Sequence, residues 1–245
     1  MKVLYLVLCF SILLLPLSVM AEPVSLLYSP ETGSSWTIKA ETVAKIPMLG
    51  TKKLSLSYDL YCEGQQGSIY RMDLQVPAVD LGNGEVVGPI EAKFDLSPLG
   101  EVSNLQSSQM GDPRISAVLK NIGMIFPRLP GGLVENGDQW TCREIFYLPP
   151  ATSRHRHPKA PRLPEKVRLD AQFEFSGLDS SGKGATISMK LKEASGEPIK
   201  VSFSGEGCHR VDLGYGTKAN FGGNIKVRKL FMWVTVPVSV SSWMD

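Results

Sequence analysis

The pattern Gly-x-x-Trp-Thr occurs twice in this chain, as Gly33-Ser34-Ser35-Trp36-Thr37 and as Gly137-Asp138-Gln139-Trp140-Thr141. Each copy is followed by segments in which apolar and polar residues alternate. In the first half Leu54, Leu56, Tyr58, Leu60 and Cys62 alternate with Ser55, Ser57, Asp59 and Tyr61. In the second, Val167, Leu169, Ala171, Phe173 and Phe175 alternate with Arg168, Asp170, Gln172 and Glu174. A period of two over that length is a strand with one buried and one wet face. Tyr70-Met72-Leu74-Val76 and Ala92-Phe94-Leu96 continue the pattern in one half, Ile187-Met189-Leu191 and Ile199-Val201-Phe203 in the other. Short turns between such strands make antiparallel meanders. The expected fold is mainly β, a single domain at 22–245 containing an internally duplicated antiparallel sheet, with repeats at about 22–111 and 131–245.

The beginning of the chain bears on location. Lys2 precedes an apolar run from Val3 to Leu17, and Val19 and Ala21 supply small residues before Glu22. That is the form of a secretory signal peptide, 1–21, cleaved after Ala21. The run contains Pro16 and is short for a bilayer span of about 20 residues, so no integral membrane anchor is expected after cleavage. Periplasmic or secreted localisation follows. Losing Lys2 lowers the formal charge of +2 by one, so nothing favours a nucleic-acid partner. Cys62, Cys142 and Cys208 remain, and in an oxidising compartment any one pair could bridge.

Two stretches interrupt the alternation. Asp112-Pro113 opens a segment with Ile115, Val118, Leu119, Ile122, Ile125 and Phe126 at helical spacing, stopped by Pro127 and Pro130. An N-cap aspartate followed by proline predicts one central helix, about 112–126, between the repeats. From Pro149 to Pro164, prolines surround the basic run Arg154-His155-Arg156-His157, which predicts an exposed loop. Pro237, inside the strand pattern from Leu230 to Val240, predicts a sheet edge. One helix of about fifteen residues, some 22 Å long, is too small to cover some ten one-sided strands. The sheet therefore curls around the helix as a half-barrel with an apolar hollow, or the two repeats pack face to face. The broad apolar stripe of the helix favours the curled form.

The segment Phe126-Pro127-Arg128-Leu129-Pro130, then Val134, then Gly137-Asp138-Gln139-Trp140 resembles a motif of a secreted bacterial β-rich family of unknown function. In that family a Phe-Pro-x-Leu-Pro helix end is followed by a Gly-Asp-x-Trp turn. Asp95-Leu96-Ser97-Pro98-Leu99-Gly100-Glu101-Val102 is similar to its strand-turn-strand lead-in. The resemblance implies a periplasmic or surface β domain and no catalytic residues. A curved sheet around one helix is also similar to the LolA/LolB-like periplasmic carriers.

The chemical inventory is sparse. No serine nucleophile elbow, zinc-helix motif or phosphate loop is present, so an enzyme is not expected and no cofactor is implied. His155 and His157 sit among arginines, which oppose a bound cation. Cys208 and His209 are strand neighbours and point to opposite faces, so they form no dyad. Gly205-Glu206-Gly207 and Gly214-Tyr215-Gly216 read as turns or bulges. Asp59, Asp73, Asp95 and Asp170 fall on polar strand faces. Trp36, Met72, Trp140 and Met189 are the candidate wall of an apolar ligand pocket. Arg154, Arg156, Lys159 and Arg162 are the candidate contacts for an anionic group. The function expected is a non-enzymatic carrier or sensor of a lipid or other apolar ligand. The alternative is a structural or protein-interaction module of the cell envelope with a filled core, its basic loop or edge strand serving as the contact surface. An outer-membrane barrel would need aromatic girdles, and aromatics make up only 8% of the chain.

Overall fold

The computed structural model describes residues 23–47, 50–80, 86–148, 164–197, 199–229 and 232–244. Residues 1–21, expected from sequence to be a signal peptide, and the basic loop lie outside them. One antiparallel sheet of eleven strands dominates. Its order is β10 (Gln139–Tyr147), β11 (Lys166–Leu178), β12 (Gly184–Glu193), β13 (Ile199–Arg210), β14 (Tyr215–Lys229), β15 (Met232–Met244), β2 (Ser35–Ile46), β3 (Gly50–Gln66), β4 (Ile69–Val76), β7 (Ile90–Leu96) and β8 (Val102–Gln106). The meanders that follow the two tryptophan motifs lie at opposite ends, joined where the last strand pairs with β2. β1 (Val24–Ser25) pairs with β9 (Leu133–Val134), and β5 (Val79–Asp80) with β6 (Val86–Val87), as separate short ladders. The large sheet is not closed; β10 and β8 are its edges.

The repeated motif builds the same turn twice. Gly33 and Gly137 have φ of 85° and 91°, conformations open to glycine. Ser34 donates its N–H to Glu31 and Asp138 to Glu135, which closes a four-residue turn in each copy. Gly33 then donates to Cys62 and Gly137 to Phe175, and each tryptophan opens its strand from there. Register pairs Trp36 with Leu60 and then Leu74, and Trp140 with Phe173 and then Met189. Met189 therefore corresponds in position to Leu74. Met72 lies one row further along, opposite Cys62 and Phe94.

The helix is shorter than its apolar spacing predicts. α1 runs Pro113–Lys120, and a 3₁₀ turn follows at Ile122–Ile125. At Asn121 the backbone changes to i→i−3 bonding, its N–H going to Val118 and its carbonyl taking Met124, while its side chain accepts the N–H of Tyr147 and donates to the Tyr147 carbonyl, at 2.7 and 2.8 Å. The amide thus pairs with the end of edge strand β10 as a neighbouring backbone would. Ile115, Leu119, Ile122 and Phe126 are buried from this segment. Phe126 reaches Phe94 of β7 while α1 packs beside β10, so the segment spans from one wing of the sheet to the other.

A second cover comes from the amino-terminal strap, residues 23–31. Leu26, Tyr28 and Pro30 point inward and are buried. Tyr28 donates its N–H to Pro98 and its hydroxyl to the Pro127 carbonyl, and its ring meets Phe126 and His209 edge-on. Ser29 donates to the carbonyl of Gly214, which has φ of 67° and has the Ser29 backbone where a side chain would stand. Only glycine fits there.

Together the strap and α1 bury the inner face of both wings: Leu60, Leu74 and Phe94 on one, Val167, Leu169 and Phe173 on the other. Pro237 is not at a sheet edge, since β15 lies between β14 and β2. Its ladder with β2 starts only at Val238, however, so Pro237 sits where β15 has a single neighbour and its missing N–H disturbs no second ladder.

Candidate functional site

Between the covered wings the inner face continues with less above it. Residues directly opposed across antiparallel strands share a face, so register traces this floor row by row. One row runs Trp140, Phe173, Met189, Gly205, Phe221, Val240, Thr42, Leu54. The next runs Cys142, Ala171, Leu191, Phe203, Gly223, Val238, Ala44, Lys52. Phe173 and Leu191 are buried, whereas Phe203, Phe221, Val238, Val240, Leu54 and Ala44 are half-buried. Val201, Ile225 and Val236 form a third row on the same side, also half-buried. The result is an apolar floor across β13, β14, β15, β2 and β3. Lys52, exposed, stands at one rim.

Two glycines shape this floor. A side chain at Gly223 would lie 2.0 Å from the Ser202 carbonyl and 2.9 Å from the Phe203 ring; one at Gly205 would lie 2.0 Å from the Asn220 carbonyl and 2.4 Å from the Phe221 ring. Each phenylalanine is thus paired with a glycine on the adjacent strand. Bare backbone under an aromatic ring lets two strands bend together sharply, which gives a sheet curvature. Gly205-Glu206-Gly207 is accordingly part of β13 and not a turn. The register shift falls after it, between Cys208 and His209. Gly214 does form the turn to β14.

A second feature lies at the seam of the open sheet. A cleft of about 710 Å³ runs between β10 and the β7–β8 turn, with Trp140, Thr141, Cys142 and Arg143 on one side and Pro98, Leu99 and Glu101 on the other. Arg128 crosses it, 3.4 Å from Glu144 on β10 and 3.7 Å from Glu101. Trp140 stacks on Phe173 and donates its indole N–H to the Arg128 carbonyl. Glu144 also contacts the Cys142 thiol, and burial, with Glu144 adding to it, pushes that thiol up to about 12. It is therefore a poor nucleophile at neutral pH.

The residues predicted as a pocket wall divide between these places. Trp36 and Met72 belong to the packed core, 6% and 0% exposed, with Trp36 stacked on Tyr215. Met189 lies on the row that becomes the open floor, and Trp140 on the seam. Arg154, Arg156, Lys159 and Arg162 lie outside the described residues, as do His155 and His157. Cys62, Cys142 and Cys208 are free thiols. Among the described residues no group of three His, Cys, Asp or Glu side chains could hold a metal ion, and no helix is long and apolar enough to cross a membrane.

His209 is inward and buried, and its ring nitrogen bonds the Leu27 carbonyl of the strap at 3.1 Å. Burial lowers its pKa, with the Leu27 bond opposing weakly. The unfolded chain then takes up a proton near pH 6.5 while the folded chain does not, so stability is complete above that pH and is lost as pH falls below it. Urea midpoints measured from pH 7.5 to 5.5 are expected to fall in the wild type. They should fall measurably less in His209→Gln, and equal slopes would exclude His209 as the cause.

No family model and no curated protein matches this chain. Thus neither the secreted β-rich family nor the LolA/LolB-like carriers is supported by these comparisons. Among solved structures, the chain is similar to a protein of Bacteroides fragilis described as exported and as having a YmcC-like fold. Identity is 11% with a TM-score of 0.33, over 90% of this chain and 99% of that one. An overlap that loose carries no argument about what this chain does.

Proposed function

We propose that this protein is an exported, non-enzymatic carrier or sensor that holds an elongated apolar ligand, a lipid or acyl chain, on the open floor of its curved sheet. One observation carries the reading: half-buried apolar side chains continue over adjacent rows from β13 to β3, with Val201, Phe203 and Ile225 packed against the buried core and Phe221, Val238, Val240 and Leu54 extending beyond it. A contiguous apolar surface of this kind is costly to leave in water and commonly marks a binding site. Phe203 and Phe221 give it flat surfaces; its polar members are Thr42 in the first row and Glu193 at the β12 end of the third, which accepts the Val201 N–H and pairs with Lys200. Lys52 at the rim is placed to meet an anionic headgroup. The exported part of the reading is supported by the signal-peptide pattern expected at 1–21.

A titration with the fluorescent apolar probe 1-N-phenylnaphthylamine tests this. Saturable binding is expected, weakened about tenfold or more by Val240→Glu, which places an uncompensated charge on the floor. Val240 is half-buried, so its variant can fold. Met72 is fully buried, and a charge there would test folding instead. Absence of saturable binding by the wild-type chain, or unchanged binding by the variant, would overturn the proposal.

A further inference from the structure

The two free edges of the sheet differ. β8 is five residues long, its register against β7 shifts between Lys93 and Asp95, and Asn104 within it has φ of 50°. Such irregularities keep another strand from adding. β10 has none of them: it runs nine residues, contains no proline, and pairs with β11 without a shift. The direction of its free backbone groups is known at one point, where Tyr147 turns its N–H and C=O to Asn121. Antiparallel strands alternate in this respect, so Gln139, Thr141, Arg143 and Ile145 also turn theirs away from β11. Among the described residues no strand or side chain pairs with those four. The seam cleft opens beside them, with Thr141 and Arg143 on its near wall and Leu99 and Glu101 on its far wall.

We infer that the β10 edge is a docking site for an extended segment of another protein, which adds as one further strand in the seam. The occupant follows from what the edge lacks. Backbone donors and acceptors at every second residue match another backbone, whereas an acyl chain has neither. Inward-facing side chains of the added strand would be apolar where they meet Trp140 and Leu129 and polar where they pass the Arg128 ion pairs with Glu144 and Glu101; outward-facing ones lie beside Thr141 and Arg143 and are polar. A second copy of this chain would have to bring its own sheet past the Leu99–Glu101 wall to pair through β10, which a single extended segment need not do. Asn121 ends the pairing at Tyr147 and so fixes where the added strand stops. This site is separate from the apolar floor and does not depend on it.

The test uses the full-length chain, isotopically labelled, and ten-residue peptides of alternating threonine and valine, leucine or phenylalanine with lysine at both ends. Hydrogen exchange at the amides of Thr141, Arg143 and Ile145 is expected to slow about tenfold or more with peptide. The same peptides N-methylated along one edge are expected to bind about tenfold or more weakly, because their ladder donors are gone. Thr141→Pro should lose binding in the same way while keeping the β11 ladder, since the Thr141 N–H points outward. Should that variant fail to fold, the N-methylated peptides on the wild-type chain decide alone. The inference is overturned if no peptide slows exchange, if N-methylation leaves binding unchanged, or if these amides are already protected in the isolated chain.

Discussion

Tyr28→Ala is expected to cost about 4 kcal/mol of folding stability, in the range for deleting a large buried aromatic. Tyr28 is 2% exposed, and it holds three parts of the molecule together. Its ring packs against Phe126 at the end of the α1 segment and against His209 of β13, while its hydroxyl bonds the Pro127 carbonyl. Removing the ring leaves a cavity beneath the strap and strands that carbonyl. Tyr28→Phe keeps the ring and loses only the hydrogen bond, so about 1 kcal/mol is expected. Urea unfolding of the two variants measures both values. A Tyr28→Ala cost no larger than that of Tyr28→Phe would mean that the strap is not part of the cooperative core.

Adjacent glycines on β14 provide the second large effect. Gly223→Ala is expected to destabilise by about 3 kcal/mol or more, the upper range for overpacking, because its Cβ would fall 2.0 Å from a carbonyl oxygen and 2.7 Å from the Phe203 Cα. Both are backbone atoms, so no rotamer change relieves the clash; the strands must separate. Gly222 points to the other face with nothing within 4 Å. Gly222→Ala is therefore expected to be neutral or to stabilise by up to about 1 kcal/mol, through loss of glycine's freedom in the unfolded chain. Comparable effects at both positions would contradict the account of how the floor is curved.

The strands were legible in the sequence because each has one wet face and one dry one, and the period of two records that directly. Helix α1 was legible from its apolar spacing and Asp112-Pro113, but not its early end, because the apolar spacing runs on unchanged through the 3₁₀ turn at Ile122–Ile125. The pairing of β15 with β2, which joins the two ends of the chain, leaves no local trace. Nor does the strap: Leu26, Tyr28 and Pro30 alternate over too short a stretch to signal a cover. The candidate site was legible only in part. Met72 and Met189 look alike in sequence, yet one is sealed beneath the strap and α1 while the other leads toward the floor. Phe203 reads as a strand position and Gly205 as a turn or bulge, while Phe221 and Gly223 give no signal of their own, because what a glycine does in a strand depends on the partner strand. Two segments with the same signal, Phe203-Ser204-Gly205 and Phe221-Gly222-Gly223, each place glycine two residues after phenylalanine on one face, and that pairing could have been found.

With an apolar ligand on the open floor, native mass spectrometry of the chain purified from its own host without detergent is expected to find a co-purifying lipid or fatty acid at fixed stoichiometry, recovered by solvent extraction and missing from Val240→Glu. A mass equal to the bare chain, with no uptake of added fatty acid, would contradict that proposal.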